Sequence, residues 1–369
     1  MQIILLSGGS GKRLWPLSND IRSKQFLRLF RSPDGGYESM LQRMYRHIRS
    51  VDPEAGVTIA AGEAQVPAIR EQLGDDNVGI SIEPCRRDTF PAIALASAYL
   101  HDKRGVPADE VVVVCPVDPY VDERYFEALR ALADIAASDG ASNLVLMGME
   151  PDSPSEKYGY IIPETGEHVS RVSMFKEKPS AALAAQYIGH GALWNGGVFA
   201  YRLGYVLNRA HELMDFDSYD DLFAKYGTLR KISFDYAVVE HEPDISVMRF
   251  KGRWMDIGTW DSLTDAIADA EEAAGSAPVE CGNAFGEEIA AGENAAAVNA
   301  GDGASVLIGN AMLGDACENV SVINELGIPV LCMGLKDMIV TASKDGILVT
   351  NREHSSGIKP FVEKLEDGK

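Results

Sequence analysis

A glycine-rich segment close to basic side chains opens the chain. The apolar run ending at Leu6 leads directly into Ser7-Gly8-Gly9-Ser10-Gly11. Three glycines in five positions let the backbone come close to a bound group and turn its amides inward around an anion. Basic side chains follow within a short stretch: Lys12, Arg13, Arg22 and Lys24. Backbone donors beside cations suit a polyphosphate, so the segment predicts a phosphate-binding loop.

Two common phosphate-binding loops do not fit this segment. A Walker loop would require glycine at Leu6 and a serine or threonine at Arg13. The dinucleotide-binding fingerprint would require glycine at Leu14. An ordinary flexible turn after a first strand is the alternative that the glycines alone leave open. The flanking residues Arg13 and Lys24-Gln25-Phe26 favour the binding loop over that turn.

Two aspartates are candidates for a divalent metal site. Asp118 follows the buried run Val111 to Val117, and Asp256 lies in Trp254-Met255-Asp256-Ile257-Gly258. Mg²⁺ prefers one or two carboxylates, with substrate phosphates and water completing its shell. Each aspartate also has an ordinary explanation, as a turn residue before proline or as an acid near a helix N-terminus. Taken together, the pair predicts Mg²⁺ or another divalent cation.

The elements that must position these residues alternate between strand and helix in the first two thirds of the chain. This alternation predicts a mostly parallel sheet covered on both faces, with ligands beyond the carboxyl ends of its strands. The glycine loop, Glu83-Pro84 and Asp118 each follow a predicted strand. The predicted strands are Gln2–Leu6, Val57–Ala61, Val78–Ile82, Val111–Cys115 and Asn143–Gly148, and the predicted helices lie near Ser39–Ile48, Ala64–Leu73, Pro91–Leu100 and Arg124–Ala137.

Composition excludes several classes of function. A formal net charge of −21 argues against general binding of nucleic acid or anionic membranes. No run approaches the roughly 18 apolar residues of a membrane span, and the N-terminal run is too short for a signal peptide. The five cysteines show no metal-ligand spacing, and their odd number fits reduced thiols. We therefore expect a cytoplasmic protein.

The N-terminal motifs resemble those of the sugar-phosphate nucleotidyltransferases. That family opens with a glycine loop, then Arg-Leu-Trp-Pro-Leu and Pro-Lys-Gln-Phe-Leu, and this chain carries Arg13-Leu14-Trp15-Pro16-Leu17 and Lys24-Gln25-Phe26-Leu27. It differs at Lys12, usually threonine, and at Ser23, usually proline. The segment around Asp256 resembles the family's Trp-x-Asp-x-Gly-x-Trp. The resemblance covers roughly residues 2–262 strongly and the remainder moderately.

The resemblance implies roles for individual residues. Arg13 and Lys24 would be catalytic, together with Asp118 and Asp256 as metal ligands. Glu177 would accept from sugar hydroxyls and Lys178 would pair with the sugar phosphate. The implied nucleotide-binding residues are Leu6, Ser7, Gly8, Gly9, Gly11, Lys12, Arg13, Glu83, Pro84, Thr89 and Pro116, and the implied sugar-phosphate-binding residues are Gly159, Tyr160, Glu177, Lys178 and Asn195.

The reaction implied by the resemblance joins a sugar 1-phosphate to a nucleoside triphosphate and releases pyrophosphate. The implied substrates are GTP and mannose 1-phosphate. Two alternatives stay open: another nucleotide-sugar pyrophosphorylase, using glucose or heptose 1-phosphate or another triphosphate, and a non-catalytic regulator that binds nucleotide-sugar. Such a regulator would be expected to lose Arg13, Lys24 or one aspartate, and all are present.

The predicted fold class is α/β, with two domains. Residues 1–272 would form a Rossmann-like nucleotidyltransferase domain around a mostly parallel mixed sheet. Residues 273–369 would form a linker and a small β-rich domain, since short β patterns and punctuating glycines replace the earlier alternation. The resemblance implies that this second domain is left-handed β-helix-like, and a homodimer through it is an expectation.

Overall fold

The structure is a computed structural model that describes residues 1–9, 12–19, 22–74, 78–273, 295–299 and 304–367. Gly11 of the predicted loop and most of the predicted linker lie outside these residues, and only the backbone of Lys12 is described. The chain divides into two compact units. The first unit comprises Met1–Gly8, Met44–Val117 and Val121–Trp254, and the second comprises Gly9–Arg43, Asp118–Tyr120 and Met255–Lys369.

The described residues contain twenty strands and ten α-helices. In chain order the strands are β1 (Gln2–Leu6), β2 (Arg28–Arg31), β3 (Tyr37–Ser39), β4 (Gly56–Gly62), β5 (Gly79–Glu83), β6 (Val111–Pro116), β7 (Pro119–Val121), β8 (Leu144–Met149), β9 (Gly159–Pro163), β10 (Val169–Lys176), β11 (Leu193–Arg202), β12 (Ile245–Phe250), β13 (Trp254–Asp256), β14 (Ala295–Asn299), β15 (Ala304–Gly309), β16 (Ala311–Leu313), β17 (Ser321–Asn324), β18 (Val330–Cys332), β19 (Met338–Ser343) and β20 (Gly346–Asn351). The helices are α1 (Met40–Val51), α2 (Val66–Leu73), α3 (Thr89–Ala98), α4 (Arg124–Ala137), α5 (Ala181–Gly189), α6 (Leu203–Leu213), α7 (Tyr219–Lys225), α8 (Phe234–Ala237), α9 (Trp260–Ala273) and α10 (Lys359–Asp367).

The first unit is built on a nine-stranded sheet in the order β5-β4-β1-β6-β11-β8-β12-β10-β9. Only β10 and β11 run against the other seven strands, so the sheet is mixed but mostly of one direction, as predicted. Its central strands are mostly apolar, as expected for a sheet with both faces covered. Ile3, Ile4 and Val112 to Val114 are all fully buried.

The carboxyl ends of the parallel strands lie at one edge of this sheet. Leu6 at the end of β1 is aligned with Pro116 at the end of β6, and Glu83 at the end of β5 is aligned with Gly62 of β4. The alternation of strand and helix predicts this arrangement, because each helical crossover returns the chain to the same starting edge. Helix α3 is buried from Phe90 to Ala98, so it lies in the apolar core of this unit.

The second unit joins N-terminal and C-terminal segments around one apolar cluster. Leu14 and Leu17 pack in this cluster with Trp260 of α9 and with Ile323 and Ile339 of the C-terminal strands. Strands β15, β17 and β19 are parallel neighbours, and β16 pairs in parallel with β18. Short parallel strands on successive turns of the chain make this C-terminal region β-helix-like, as expected.

The predicted domain boundary after residue 272 stays a prediction, since it adjoins residues that are not described. The compact units group the chain in another way, with Gly9–Arg43 alongside the C-terminal residues. Strands β7 and β13 pair with each other in a separate two-stranded sheet. In the part of the chain that the structure covers, each helix is too short or too polar to cross a bilayer.

Candidate active site

Lys24 is the centre of a charged cluster in the second unit. Its ammonium lies 2.9 Å from Oδ2 of Asp118 and also donates to the carbonyl oxygen of Ile257. The side chains of Lys24 and Asp118 are 14% and 26% exposed, so the pair is shielded from solvent but reachable. One ammonium therefore ties together three segments that are distant along the chain.

Buried neighbours fix where Lys24 points. It begins a single 3₁₀ turn, Lys24–Phe26, in which Gln25 and Phe26 are buried, and Leu27 follows in the core. On the opposite side, Ile257 is fully buried, and its carbonyl is thereby held in place. The apolar residues beside each polar group thus set the position of the ion pair.

Asp256 and Arg13 both approach Gly258. A Cβ atom added to Gly258 would lie 3.4 Å from Oδ2 of Asp256 and 3.5 Å from Nη1 of Arg13. A Cβ atom at position 258 would therefore be in van der Waals contact with both charged groups. Since Ile257 lies between Asp256 and Gly258 in the chain, Arg13, Lys24, Asp118 and Asp256 converge in one region. We call these four residues the Lys24 cluster.

The donor set of this cluster fits a hard divalent cation. Asp118 and Asp256 supply carboxylate oxygens, which Mg²⁺ prefers. Across the described ranges, no group of three or more His, Cys, Asp or Glu side chains is arranged to hold a metal. A cation at two carboxylates would therefore need water or substrate phosphate as its other ligands, which is how Mg²⁺ is commonly bound with nucleotides.

The predicted phosphate loop leaves the sheet from the end of β1. The amide of Ser7 donates to the carbonyl of Ala60 at 2.9 Å, and the amide of Val117 donates to the carbonyl of Leu6 at 3.2 Å. Gly9 has φ of +122°, a conformation that residues with side chains rarely adopt. A Cβ on Gly8 would meet no atom within 4 Å, so open space adjoins this part of the loop.

Glu83 and Thr89, both expected near the nucleotide, have protein partners. The Tyr226 hydroxyl donates to Oε2 of Glu83 at 2.8 Å, and burial raises the pKa of Glu83 above its ordinary value. The Thr89 hydroxyl accepts from the amide of Phe234 at 2.8 Å, so it links α3 to α8. Asp88, with φ of 72°, caps α3 by accepting from the amide of Thr89. Nucleotide binding by Glu83, Pro84 and Thr89 stays a prediction.

A second polar cluster forms in the first unit at the ends of three adjacent strands. Asn195 of β11 lies opposite Gly159 of β9, and Lys176 of β10 lies opposite Tyr160 of β9. Glu177 follows Lys176 in the chain and therefore emerges at the same edge. Strand register thus brings together residues that the sequence separates. We call Gly159, Glu177, Lys178, Asn195 and Asp235 the Glu177 cluster.

Glu177 is a buried carboxylate with one unsatisfied oxygen. Its side chain is 7% exposed, and Oε2 has no hydrogen-bond partner. A Cβ on Gly159 would lie 2.4 Å from that oxygen, so only glycine leaves it room. A buried acceptor without a donor is costly, and a ligand hydroxyl would satisfy it. The geometry therefore points Glu177 towards a polar ligand.

Lys178 pairs with Glu177 from a left-handed backbone conformation, φ of 46°. Burial works to lower the pKa of Lys178, but its hydrogen bond to Glu177 and the charge of that carboxylate raise the pKa on balance. The side chain is 55% exposed. A cation that is both charged and accessible could pair with an anionic ligand.

Asp235 belongs to this cluster, although the sequence analysis missed it. It accepts from Nδ2 of Asn195 at 2.7 Å, while Oδ1 of Asn195 accepts from the amide of Gly197 at 3.1 Å. These two bonds fix the orientation of the Asn195 amide. Burial, with the charge of Glu177 adding to it, raises the pKa of Asp235 to about 6. No local spacing marks Asp235, because Asn195 lies 40 residues away.

The Tyr160 side chain lies in the core and makes its hydrogen bonds outside the cluster. The ring is fully buried, and its hydroxyl accepts from Nε1 of Trp194 at 2.9 Å and donates to the carbonyl of Ser155 at 3.1 Å. Tyr158 packs on Trp194 with ring centroids 4.9 Å apart. Any approach of Tyr160 to a sugar would therefore be through its backbone.

The raised pKa of Asp235 predicts a pH-dependent stability. The folded state takes up a proton near pH 6 and the unfolded state near pH 3.8, so the ionised aspartate disfavours folding above pH 6. As pH falls from 7 to 4, wild type should gain stability relative to Asp235→Asn, by up to about 3 kcal/mol. Urea denaturation midpoints of both proteins across this range measure the gain. Parallel profiles would contradict the raised pKa.

The chain is similar to known proteins over most of its length. The profile of the family described as Nucleotidyl transferase matches residues 2–273. The chain is 31% identical to the mannose-1-phosphate guanylyltransferase of Escherichia coli (strain K12), over 99% of this chain and 74% of that protein. It is 31% identical to the xanthan biosynthesis protein XanB of Xanthomonas campestris pv. campestris (strain B100), over 98% of this chain and 73% of that protein.

A solved structure shows the same fold. The mannose-1-phosphate geranyltransferase from Thermus thermophilus superposes with a TM-score of 0.73 at 27% identity, over 99% of this chain and 98% of that one. The family match spans well over half of the chain and includes both polar clusters. The chain therefore belongs to the Nucleotidyl transferase family.

Proposed function

We propose that this chain is a mannose-1-phosphate guanylyltransferase, which makes GDP-mannose and pyrophosphate from GTP and mannose 1-phosphate. The observation that carries the proposal is the convergence of Arg13, Lys24, Asp118 and Asp256 in the Lys24 cluster. The similarity to a guanylyltransferase of that name extends over 99% of the chain and supports the choice of substrates.

In the proposed reaction, an oxygen of the sugar phosphate attacks the α-phosphorus of the triphosphate. A new P–O bond forms as the bond to the bridging oxygen breaks, and pyrophosphate leaves with the electron pair. Positioning and charge neutralisation dominate such transfers. Arg13 and Lys24 stabilise the charge that develops on the leaving pyrophosphate. Asp118 and Asp256 would bind Mg²⁺, which when bound supplies Lewis-acid charge neutralisation between the phosphates.

The Glu177 cluster serves the sugar phosphate in this proposal. The unsatisfied Oε2 of Glu177 accepts from a sugar hydroxyl, and Lys178 pairs with the sugar phosphate. Asn195, whose amide orientation is fixed by Asp235 and Gly197, bonds another hydroxyl. The hydrogen bonds within the cluster already orient these groups, so little reorganisation is needed when substrate binds.

The alternative functions differ in the nucleotide base and in the sugar that the enzyme would accept. Guanine offers an N–H and an exocyclic amine as donors, so its pocket should present acceptors such as Glu83. Glu83 accepts from Tyr226 through Oε2, and a half-buried carboxylate has capacity for further donors. Glucose or heptose 1-phosphate and other triphosphates stay as alternatives, and a non-catalytic regulator is disfavoured because the Lys24 cluster is intact.

Cellular context and assembly stay predictions. The four cysteines in the described residues form no disulfide, and Cys115, Cys317 and Cys332 are buried, which suits a reducing cytoplasm. A homodimer through the C-terminal region is supported only by exposed apolar side chains there, such as Ile328 and Leu331. Sedimentation velocity would test the dimer.

Removing either proposed metal ligand should abolish most turnover. Asp118→Ala or Asp256→Ala deletes a carboxylate of the cation site, and we expect turnover to fall by about two to four decades. Excess EDTA should abolish the activity of the wild-type enzyme, and added Mg²⁺ should restore that activity. Asp215→Ala, at a fully exposed aspartate, is the control. Full activity in EDTA would contradict the metal requirement.

Lys178→Ala should affect the KM values of the two substrates differently. Loss of a charge-assisted contact costs roughly 1.5–3 kcal/mol, so the KM for sugar 1-phosphate should rise by about one to two decades. The KM for the triphosphate should change much less, because Lys178 is assigned to the sugar phosphate. Steady-state kinetics with each substrate varied in turn measures the difference. An equal rise in both KM values would count against the assignment.

A pyrophosphate-release panel tests the function directly. Wild type would be assayed with ATP, GTP, CTP, UTP and dTTP against mannose, glucose and heptose 1-phosphates. A pocket built around guanine donors should reject a base that leaves those acceptors unpaired, potentially by several decades in kcat/KM. Comparable kcat/KM with UTP or dTTP would overturn the choice of GTP, and faster turnover of another sugar would overturn mannose. Absence of turnover with every pair would favour the regulator.

A further inference from the structure

The loop that carries Arg13 rests on a turn of the C-terminal β region. The turn is Ser343–Gly346, between β19 and β20. Ser343 is only 4% exposed, and its hydroxyl donates to the carbonyl of Pro16 at 2.8 Å. Nδ2 of Asn19 donates to Oδ2 of Asp345 at 3.0 Å. Both contacts lie within the second unit.

The fit between this turn and Trp15 requires a glycine. A Cβ on Gly346, whose φ is +153°, would lie 2.5 Å from Cζ2 of Trp15. The indole therefore packs directly over the backbone of the turn. From the other side, Nε1 of Trp260 donates to the carbonyl of Trp15 at 3.2 Å. Trp15 is thus fixed between the C-terminal turn and the start of α9.

Arg22 makes a second link between the loop and the C-terminal region. Its guanidinium bonds both carboxylate oxygens of Glu325, at 2.6 and 2.5 Å. Oδ1 of Asn19 accepts from the amide of Arg22 at 2.7 Å, so the two anchored residues also hold each other. Arg22 therefore pairs with Glu325, whereas the sequence alone makes it one of the cations beside a phosphate.

Apolar burial completes the attachment. Leu14 and Leu17 are 1% and 0% exposed, and they pack in one cluster with Ile323 and Ile339 of the C-terminal strands. Arg13 lies next to Leu14 and is exposed. Because the backbone that follows Arg13 is held by the buried side chains of Leu14 and Leu17, the position of the Arg13 guanidinium depends on the packing of these two leucines.

The C-terminal region also forms hydrogen bonds with the helix that follows Asp256. Arg352 is 9% exposed, and its guanidinium donates to Asp261 and Thr264 of α9 at 3.1 and 3.0 Å and to Ser321 of β17 at 2.8 Å. Helix α9 begins only four residues after Asp256. The C-terminal region therefore contacts the loop that carries Arg13 and the helix that follows Asp256, which adjoin two of the three chain segments in the Lys24 cluster.

We infer that the C-terminal β region positions the catalytic loop, with Ser343, Asp345, Glu325 and Arg352 as positioning residues for nucleotide use. This inference rests on the proposed function and deepens it, because it assigns a role to a region outside the chemistry. A displacement of about 1 Å at a reacting group can cost 100-fold in rate. Loosening the loop should therefore impair use of the triphosphate, while the Glu177 cluster continues to bind the sugar phosphate.

A charge swap across Arg22 and Glu325 tests the inference. Glu325→Arg and Arg22→Glu each place like charges together, and each should lower kcat/KM for the triphosphate about 10- to 100-fold. The KM for sugar 1-phosphate should stay within about twofold, since its contacts are unaltered. The double variant restores opposite charges, so its kinetics should return most of the way to wild type. Hydrogen exchange of the amides of residues 13–19 should be faster in each single variant and normal in the double.

A matched control lies in the same region. Lys336 and Glu318 form an ion pair of 2.7 Å whose side chains are 70% and 60% exposed, away from the loop contacts. Glu318→Lys should leave both the kinetics and the exchange of residues 13–19 unchanged. Gly346→Ala supplies a second disruption that involves no charge, and it should also raise the triphosphate KM.

The outcomes separate failure of this inference from failure of the proposed function. Unchanged exchange and unchanged triphosphate kinetics in Glu325→Arg would overturn the positioning role. A double variant no better than Arg22→Glu would overturn it too, since Arg22 would then act on the phosphates themselves. Absence of turnover in wild type would refute the proposed function, and the exchange measurements would still decide whether Glu325 anchors the loop.

Discussion

The position of one ammonium group determines how the second unit is organised. Lys24 lies between the carboxylate of Asp118 and the carbonyl of Ile257, so it joins the N-terminal segment, the segment after β6 and the segment before α9. A shielded charge of this kind is stable only with its partners in place, because an unpaired ammonium out of water is costly. The three segments are therefore constrained together, and Arg13 and Asp256 both lie close to Gly258.

The Glu177 cluster follows a different principle, since it crowds acidic groups. Burial, with the charge of the buried Glu177 side chain adding to it, raises the pKa of Asp235. Lys178 offsets this repulsion, and Asn195 donates to Asp235, but Oε2 of Glu177 stays unsatisfied. An unsatisfied buried oxygen lowers the free energy of unfolding, and a ligand hydroxyl that donates to this oxygen would restore the lost stability. The affinity of this site for a ligand hydroxyl and the loss of folding stability at Glu177 thus have the same origin.

The sequence predicts the first unit well, because its signals are local. The apolar runs ending at Leu6 and Pro116 and the alternation of strand and helix are sufficient to predict a sheet with one ligand-bearing edge. The family motifs predict Lys24 and Asp118, which the structure joins in an ion pair. Asp235 could not be found in this way, since it is defined by strand register and by a partner 40 residues away.

The links between the N-terminal loop and the C-terminal strands were also beyond sequence reasoning. Arg22 reads as a phosphate-binding cation until its partner Glu325 is known, 303 residues later in the chain. Likewise, a glycine at 346 reads as a turn signal, although the space it leaves is taken by Trp15. Hydrophobic periodicity and motif spacing carry information about residues that are near each other in the sequence. These contacts instead depend on which distant segments belong to the same compact unit.

The composition of the second unit has a consequence for the order in which the protein can be made. Its first segment, Gly9–Arg43, leaves the ribosome long before Met255–Lys369 exists. At about 5–20 residues per second, the intervening chain takes roughly 10 to 40 s to synthesise. Throughout that interval Leu14 and Leu17 have none of their C-terminal packing partners, so the apolar N-terminal segment is open to non-native association. The first unit can build most of its sheet meanwhile, and the loop that carries Arg13 is completed last although it is translated first.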